Sequence, residues 1–487
     1  MIQEILNCDT QNITEINNSM NKVGSSKSGM SLQKQLQGMW EIKVQKSDLC
    51  TEQRSFRLLR GSGIFPTLAK ILKGNPPCAV KAAHVLSEIA KNEEMKKPCI
   101  EAGLVLTLIP LLESTDQEML LHAGRAIGRI CYDNRSLQEE LVKVGVIPSL
   151  VQILTDYAES EPLVHVALLA LYNLADLDSA KEALSKTKVA EQLVKQLRRA
   201  ESHERLEIVF EVLQALAEND ALKVQLVDAG VPEVLSEILL RLHGSSQAED
   251  MCIVKAASDL IVSLLLGDGN CLRMFQLGVI HQLLDLLEKR VRSGDASVQQ
   301  AALSALQSLA VPVVSKVQML EEGVAERIEA LLRSESPPVQ FKLLGTLRML
   351  ADGQADAAEL LGQDALLLNR LVQWCSASDP SGICGEANRL LASILHHNRS
   401  QEVVKAVQAA QGVKHLVSMT TSEHAAMQNE ALTALAIASA IDLGDLRQEI
   451  EEENIQDTLE RLCSHSNANV VKEAITTLQV LRGETPH

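Results

Sequence analysis

The chain has 487 residues, a formal net charge of −17 and 46% hydrophobic residues, but only 2% aromatic ones. Its acidity argues against nucleic acid as a partner, because an acidic surface repels a phosphate backbone. No apolar run approaches the ~18 residues of a membrane-spanning helix, and the opening Met-Ile-Gln-Glu-Ile-Leu-Asn has neither the basic start nor the apolar stretch of a secretory leader. None of the ten cysteines forms a C-x-x-C pair. Most fall inside helical patterns, which predicts reduced, buried thiols and a cytoplasmic or nuclear location.

Residues 1–60 follow no repeat and carry eight Lys/Arg against six Asp/Glu, so the acidity resides in the remainder. Asn12 to Ser31 is rich in Asn, Ser and Lys and reads as a partly disordered leader. Ser31 to Trp40 and Phe56 to Leu59 read as short capping helices. From residue 61 to 487 a unit recurs every ~40–47 residues, the period of an armadillo or HEAT array. Each unit opens with a short apolar run, as in Gly145-Val-Ile-Pro-Ser-Leu-Val, and closes on an alanine-leucine helix, as in Ala167-Leu-Leu-Ala-Leu-Tyr-Asn-Leu-Ala175. The units run approximately over 63–102, 103–144, 145–187, 188–229, 230–277, 278–322, 323–365, 366–411, 412–453 and 454–484. The predicted fold is all-α: an armadillo-repeat, right-handed superhelical solenoid of about ten repeats.

Breakers mark the helices within a unit. In the sixth unit Val279 to Glu288 is apolar at helical spacing, and Ser297 is the predicted N-cap of the long helix through Leu309. Pro337-Pro338 sits where the seventh long helix should begin, since a missing N–H costs nothing there. His243 to Asp250 is a polar insertion in the fifth unit.

In armadillo stacks the long third helix lines the concave face, so its polar positions are where a partner would be read. In register, one such position is His84, Arg125, Leu169, Glu211, Asp259, Ser304, Gly345, Arg389 and Glu430. Glu207, Glu211 and Glu218 are spaced by four and seven residues and form a carboxylate stripe that Asp259 continues. Such a stripe is either an ordinary solvated face or a site for a basic tail.

Signals for catalysis are absent. The chain has no G-x-x-x-x-G-K-[ST], H-E-x-x-H or G-x-S-x-G. His396-His397 reads as a solvated helix end, Cys375 and Cys384 as core thiols, and Trp374 as packing. No metal, cofactor or catalytic residue is expected. Armadillo import adaptors repeat a Trp-x-x-x-Asn pair on successive third helices. Here the Asn position is Glu88, Arg129, Asn173, Ala215, Ser263, Ser308, Met349 and Ser393, so only Asn173 conforms.

Particular stretches resemble the SmgGDS family of small-GTPase GDP-dissociation stimulators. They include Ile89-Ala-Lys-Asn-Glu93, Ile130-Cys-Tyr-Asp133, Ile208-Val-Phe-Glu-Val-Leu213, Leu216-Ala-Glu-Asn-Asp220, Ala257-Ser-Asp-Leu260 and Leu264-Leu-Leu-Gly-Asp268. Pro338-Val-Gln-Phe-Lys-Leu-Leu-Gly-Thr-Leu-Arg-Met-Leu350 and Met427-Gln-Asn-Glu-Ala-Leu432 extend the likeness, which covers roughly residues 63–484. About one repeat of the family pattern is missing after Asn134 and another near Gly269. The resemblance implies an exchange factor and chaperone for Rho- and Rap-type small GTPases whose C-termini are polybasic and prenylated, acting as a monomer. It also implies a prenyl pocket among the early repeats, for which Leu120, Ile127, Leu168 and Leu171 are the candidates. Candidates for holding the GTPase body are Asn173, Ser304, Asn388, Arg389, Asn429 and Glu430. The alternative is a scaffold or trafficking adaptor that binds basic tails without altering nucleotide affinity.

Overall fold

A computed structural model describes residues 64–484, apart from 243, 266, 291–294, 376–381, 443, 445, 447, 448 and 451–453. The leader and its two capping pieces lie outside the described residues. Among the described residues all regular structure is helical. The chain divides into two compact units, Met1–Ala229 and Gly230–His487.

The first unit contains four long third helices: α1 (Pro76–Ile89), α2 (Gln117–Cys131), α3 (Glu161–Leu174) and α4 (His203–Leu216). Each packs on the next. The second unit stacks α5 (Ala248–Leu264), α6 (Ala296–Leu309), α7 (Pro337–Ala351), α8 (Ile383–His397), α9 (Ala425–Ile441) and α10 (Ala468–Leu481) in the same way. Two shorter helical pieces precede most of these. Before α2 they are Glu93–Glu101 and Leu104–Leu108, the latter tightening into a 3-10 turn over Ile109–Glu113.

The corner between the short pieces needs a left-handed residue. Gly103, Gly145, Gly278 and Gly323 supply it at φ between 68° and 91°. Gln411 and Asn454 stand at the same corner with φ of 62° and 50°, at a cost of roughly 1–2 kcal/mol for a side chain there. Pro337 and Pro338 do open α7. In α6 the cap is Asp295 rather than Ser297. Asp295 Oδ1 accepts from Val298 N at 3.4 Å, and Ser297 Oγ donates to the same oxygen at 3.0 Å. Two cap formers two residues apart competed, and the carboxylate, which can accept both bonds, prevailed. The polar insertion is shorter than its composition suggests, because Ala248, Glu249 and Asp250 form the first turn of α5.

Small residues explain how a chain with so few aromatics forms a core. Ala83, Ala123, Ala126 and Ala167 are fully buried on α1, α2 and α3. A Cβ added at Gly124 of α2 would lie 2.5 Å from Val166 Cγ1 of α3, an overlap that costs about 1–3 kcal/mol to relieve. Cys99, Cys131, Cys271 and Cys375 are buried, while Cys252 is exposed. Cys384 is half-buried and donates its thiol to the Cys375 carbonyl at 3.0 Å. Trp374 is buried, with the Arg370 guanidinium 4.8 Å from its ring centroid.

Polar ties between consecutive repeats follow one device in both units. Lys181, buried on the short helix after α3, reaches Glu218 at 2.6 Å just past the end of α4. Lys316, buried after α6, donates to the Asp352 carbonyl at 2.8 Å at the end of α7. A cation at a helix C-terminus is favoured by the negative end of the helix dipole, and Lys316 also meets a carbonyl that the helix leaves unsatisfied. Among the described residues α2 packs directly on α3, and α5 directly on α6.

Candidate functional site

The third-helix face of the first unit begins closed. Arg129 of α2 approaches Glu88 of α1 at 3.7 Å and donates to the Ser87 carbonyl at 2.5 Å, while Lys91 pairs with Glu88 at 2.5 Å. Burial opposes ionisation of Glu88, but Lys91 and Arg129 outweigh it and hold the carboxyl below its ordinary value. His84 and His122 stack with their centroids 4.2 Å apart. Burial, then His84 and Arg125, push the His122 imidazole down to about 4.

Next along the same unit the face opens. On α3, Leu169 is 38% exposed and Tyr172 is 41% exposed. Asn173 is half-buried, and its carboxamide has no hydrogen-bond partner among the described residues. On α4, Glu207 and Glu211 are exposed one turn apart, with no ion pair among the described residues. Glu211, then burial, then Asp176 and Tyr132 raise the Tyr172 phenol above its ordinary value. This is the behaviour of a ring lying in a negative field. Glu218 does not extend the stripe: it lies beyond the Ala217 cap and is held by Lys181. Leu120, Ile127, Leu168 and Leu171 are at most 3% exposed and belong to the core of α2 and α3.

In the second unit the corresponding face pairs with itself. Arg348 of α7 meets Glu386 of α8 at 3.0 Å. Arg389 of α8 takes Glu386 at 3.1 Å and Glu430 of α9 at 2.8 Å, in a two-point contact. Thr433 of α9 continues the row to Glu473 of α10 at 3.3 Å. Asp259 on α5 takes Lys255 at 3.1 Å. Asn388 is only 8% exposed and turns its amide to the Cys384 carbonyl at 2.9 Å, so Arg389 is the accessible member of that pair. Ser304 and Asn429 are half-buried. Gly345, at the ladder position of α7, lets Gln307 of α6 approach; an added Cβ would stand 3.0 Å from its Nε2.

Thus Glu207 and Glu211 stay available, whereas Glu218, Asp259, Arg389 and Glu430 are taken by neighbours. Sequence reasoning left out Tyr172, Arg348 and Glu386. Tyr172 had a signal, since it is one of three tyrosines and adjoins the conforming Asn173. Among the described residues no cluster of three or more His, Cys, Asp or Glu could hold a metal ion, and no helix is long and apolar enough to cross a membrane.

No family model matches the chain. It is 40% identical to Rap1 GTPase-GDP dissociation stimulator 1-A of Xenopus laevis over 497 aligned residues, covering 83% of this chain and 82% of that one. The chain belongs to the GTPase-GDP dissociation stimulator family. A second Xenopus laevis stimulator, 1-B, is also 40% identical over the same shares. The Drosophila melanogaster stimulator vimar is 26% identical, over 82% of this chain and 85% of its own. Among solved structures, an engineered protein superposes with a TM-score of 0.73 at 27% identity, covering 86% of this chain and 99% of that one. A chain from work on the interaction of cadherin with β-catenin gives 0.70 at 15% identity, over 94% and 98%. These neighbours place the stimulator fold in the all-α armadillo class.

Proposed function

We propose that this protein stimulates GDP dissociation from small GTPases of the Rap and Rho type and escorts clients whose C-termini are basic and prenylated. The observation that carries the reading is the 40% identity, over 83% of the chain, to stimulators acting on Rap1. Exchange of this kind needs no catalytic side chain. A protein that binds the nucleotide-free GTPase more tightly than the loaded one weakens nucleotide binding by the same factor. Glu207 and Glu211 support the basic-tail part of the reading, because unpaired carboxylates on one face steer a cationic segment. Each exposed pair contributes only ~0–1 kcal/mol. A buried prenyl chain, at ~0.8 kcal/mol per CH₂, would supply more of the affinity. We place the protein in the cytoplasm, as a monomer.

The test is release of labelled GDP from purified Rap- and Rho-type GTPases, prenylated and unprenylated. Saturating protein should accelerate release from at least one client. An unchanged rate across the panel would rule out exchange. Binding without acceleration would favour the adaptor reading, which the open carboxylates of α4 also suit.

A further inference from the structure

Along the third helices of the first unit, α1 and α2 have spent polar groups on one another at Glu88 and Arg129, while α3 and α4 are tied at their N-terminal ends, where Arg205 holds Glu161, and leave the later turns open. Four side chains there have complementary chemistry and no internal use for it. Asn173 carries an N–H donor and a carbonyl acceptor on one planar group, and neither has a partner among the described residues. Its register neighbour on α4 is Ala215, too small to compete for the amide, and on α2 it is Arg129, already turned to Glu88 and the Ser87 carbonyl. Leu169 and Tyr172 expose apolar surface beside it. Glu211 has no ion pair among the described residues and acts directly on the Tyr172 phenol. The same unit shows how a tyrosine is used when it has a cation, for the Lys96 ammonium lies 5.1 Å from the Tyr132 ring centroid. Tyr172 has no such companion among the described residues.

We propose that Leu169, Tyr172, Asn173 and Glu211 form a subsite for one lysine or arginine of an extended peptide segment. The Asn173 carboxamide meets the N–H and C=O of that residue, a match an extended backbone offers and a helix, with its groups internally bonded, does not. The methylene stem lies on Leu169 and the Tyr172 ring, and the charged head reaches Glu211. Glu207, one turn back on α4, receives the next cation along. The proposal rests on the reading that this protein binds a basic tail, and adds that the tail is read in extended form at α3.

The experiment uses the full chain, a fluorescent oligolysine peptide, and the same peptide with its backbone amides N-methylated, which keeps every charge and removes the N–H donors. Wild type should bind the methylated peptide several-fold more weakly than its parent. Asn173→Ala should lower affinity for the parent roughly fivefold to tenfold, the loss of about one hydrogen-bonded contact, and should bind both peptides alike. Tyr172→Ala should weaken both peptides and Tyr172→Phe neither. Thermal unfolding of the Asn173 variant should match wild type, since its side chain bonds to nothing among the described residues. An Asn173 variant that still distinguishes the two peptides as wild type does overturns the subsite and leaves tail binding standing. Failure of wild type to bind the oligolysine peptide at all overturns the basic-tail reading, and the subsite with it.

Discussion

The same helix position has opposite fates in the two units. In Met1–Ala229 the carboxylates of α4 face solvent without cations, beside an exposed tyrosine and an unbonded asparagine. In Gly230–His487 the acids of α8 and α9 are held by Arg348 and Arg389 in a row that ties α7, α8 and α9 together. A carboxylate already neutralised by a neighbouring guanidinium offers little field to a ligand, and displacing the pair costs its geometry. Acidic composition therefore does not by itself locate a site for a basic partner. What matters is which acids the next repeat leaves unpaired.

Four measurements can break or sharpen this contrast. The largest effect belongs to the device that both units share: Lys181→Ala and Lys316→Ala should each lower unfolding free energy by about 2 kcal/mol, through a lost buried contact and an uncapped helix end. Denaturant titration should give similar losses in the two units. A negligible loss for either would mean that the two units are not built alike beneath their faces. Next, Arg389→Ala should cost about 1–2 kcal/mol by leaving Glu386 and Glu430 facing one another without it. Glu211→Gln should change stability by less than about 0.5 kcal/mol. Equal losses from these two variants would erase the distinction between a structural row and an open face.

One group in each unit, His122 and Glu329, should couple stability to pH with opposite sign. His122 is held near 4, below its ordinary 6.5, by burial and by His84 and Arg125. The unfolded chain therefore takes up this proton first, and the contribution, full above pH 6.5, is lost as pH falls toward 4. Glu329 lies in the 3-10 turn before α7 and is pushed up from 4.5 to about 7, by burial first and then by Asp364, with Glu326 adding to it. Asp364 Oδ1 is occupied by the backbone N–H groups of Leu366 and Leu367, at 2.8 and 3.2 Å. The Glu329 contribution is full below pH 4.5 and is lost as pH rises through 7. His122→Asn should flatten the acid-side decline and Glu329→Gln the loss toward neutral pH, each read from denaturant midpoints across the range. Either variant leaving its limb unchanged would remove that group from the account.

The smallest effect is on binding. Charge neutralisation at Glu207 and Glu211 should weaken a basic peptide by a few-fold per site, within the ~0–1 kcal/mol of an exposed pair, and flatten the salt dependence. Neutralising Glu218 should do neither, because Lys181 already holds it. A Glu218 effect as large as that of Glu211 would restore the longer stripe.

Much of the architecture was legible because its causes are local. Pro337-Pro338 can only begin a helix, Gly145 and Gly278 can take the left-handed corner freely, and the alanine-leucine runs mark the long helices. Ser297 was misread because two cap formers lie two residues apart and the hydrogen bonds, not the composition, choose between them. Asn388 and Arg389 are adjacent in sequence, yet the helix turns one into packing and the other toward α9.

The open face was legible only in part. Glu207 and Glu211 are visible as a helical spacing, and Asn173 as the one conforming ladder position. The partner of Glu218 lies 37 residues earlier, and that of Arg389 lies 41 residues later. The sequence by itself determined the repeat, the helix class and the family, since period, breakers and motif identity are properties of short stretches. Only the tertiary structure decided which charges are free. Coulomb attraction acts over a few ångströms of space, and stacking brings together residues that are a whole repeat apart along the chain.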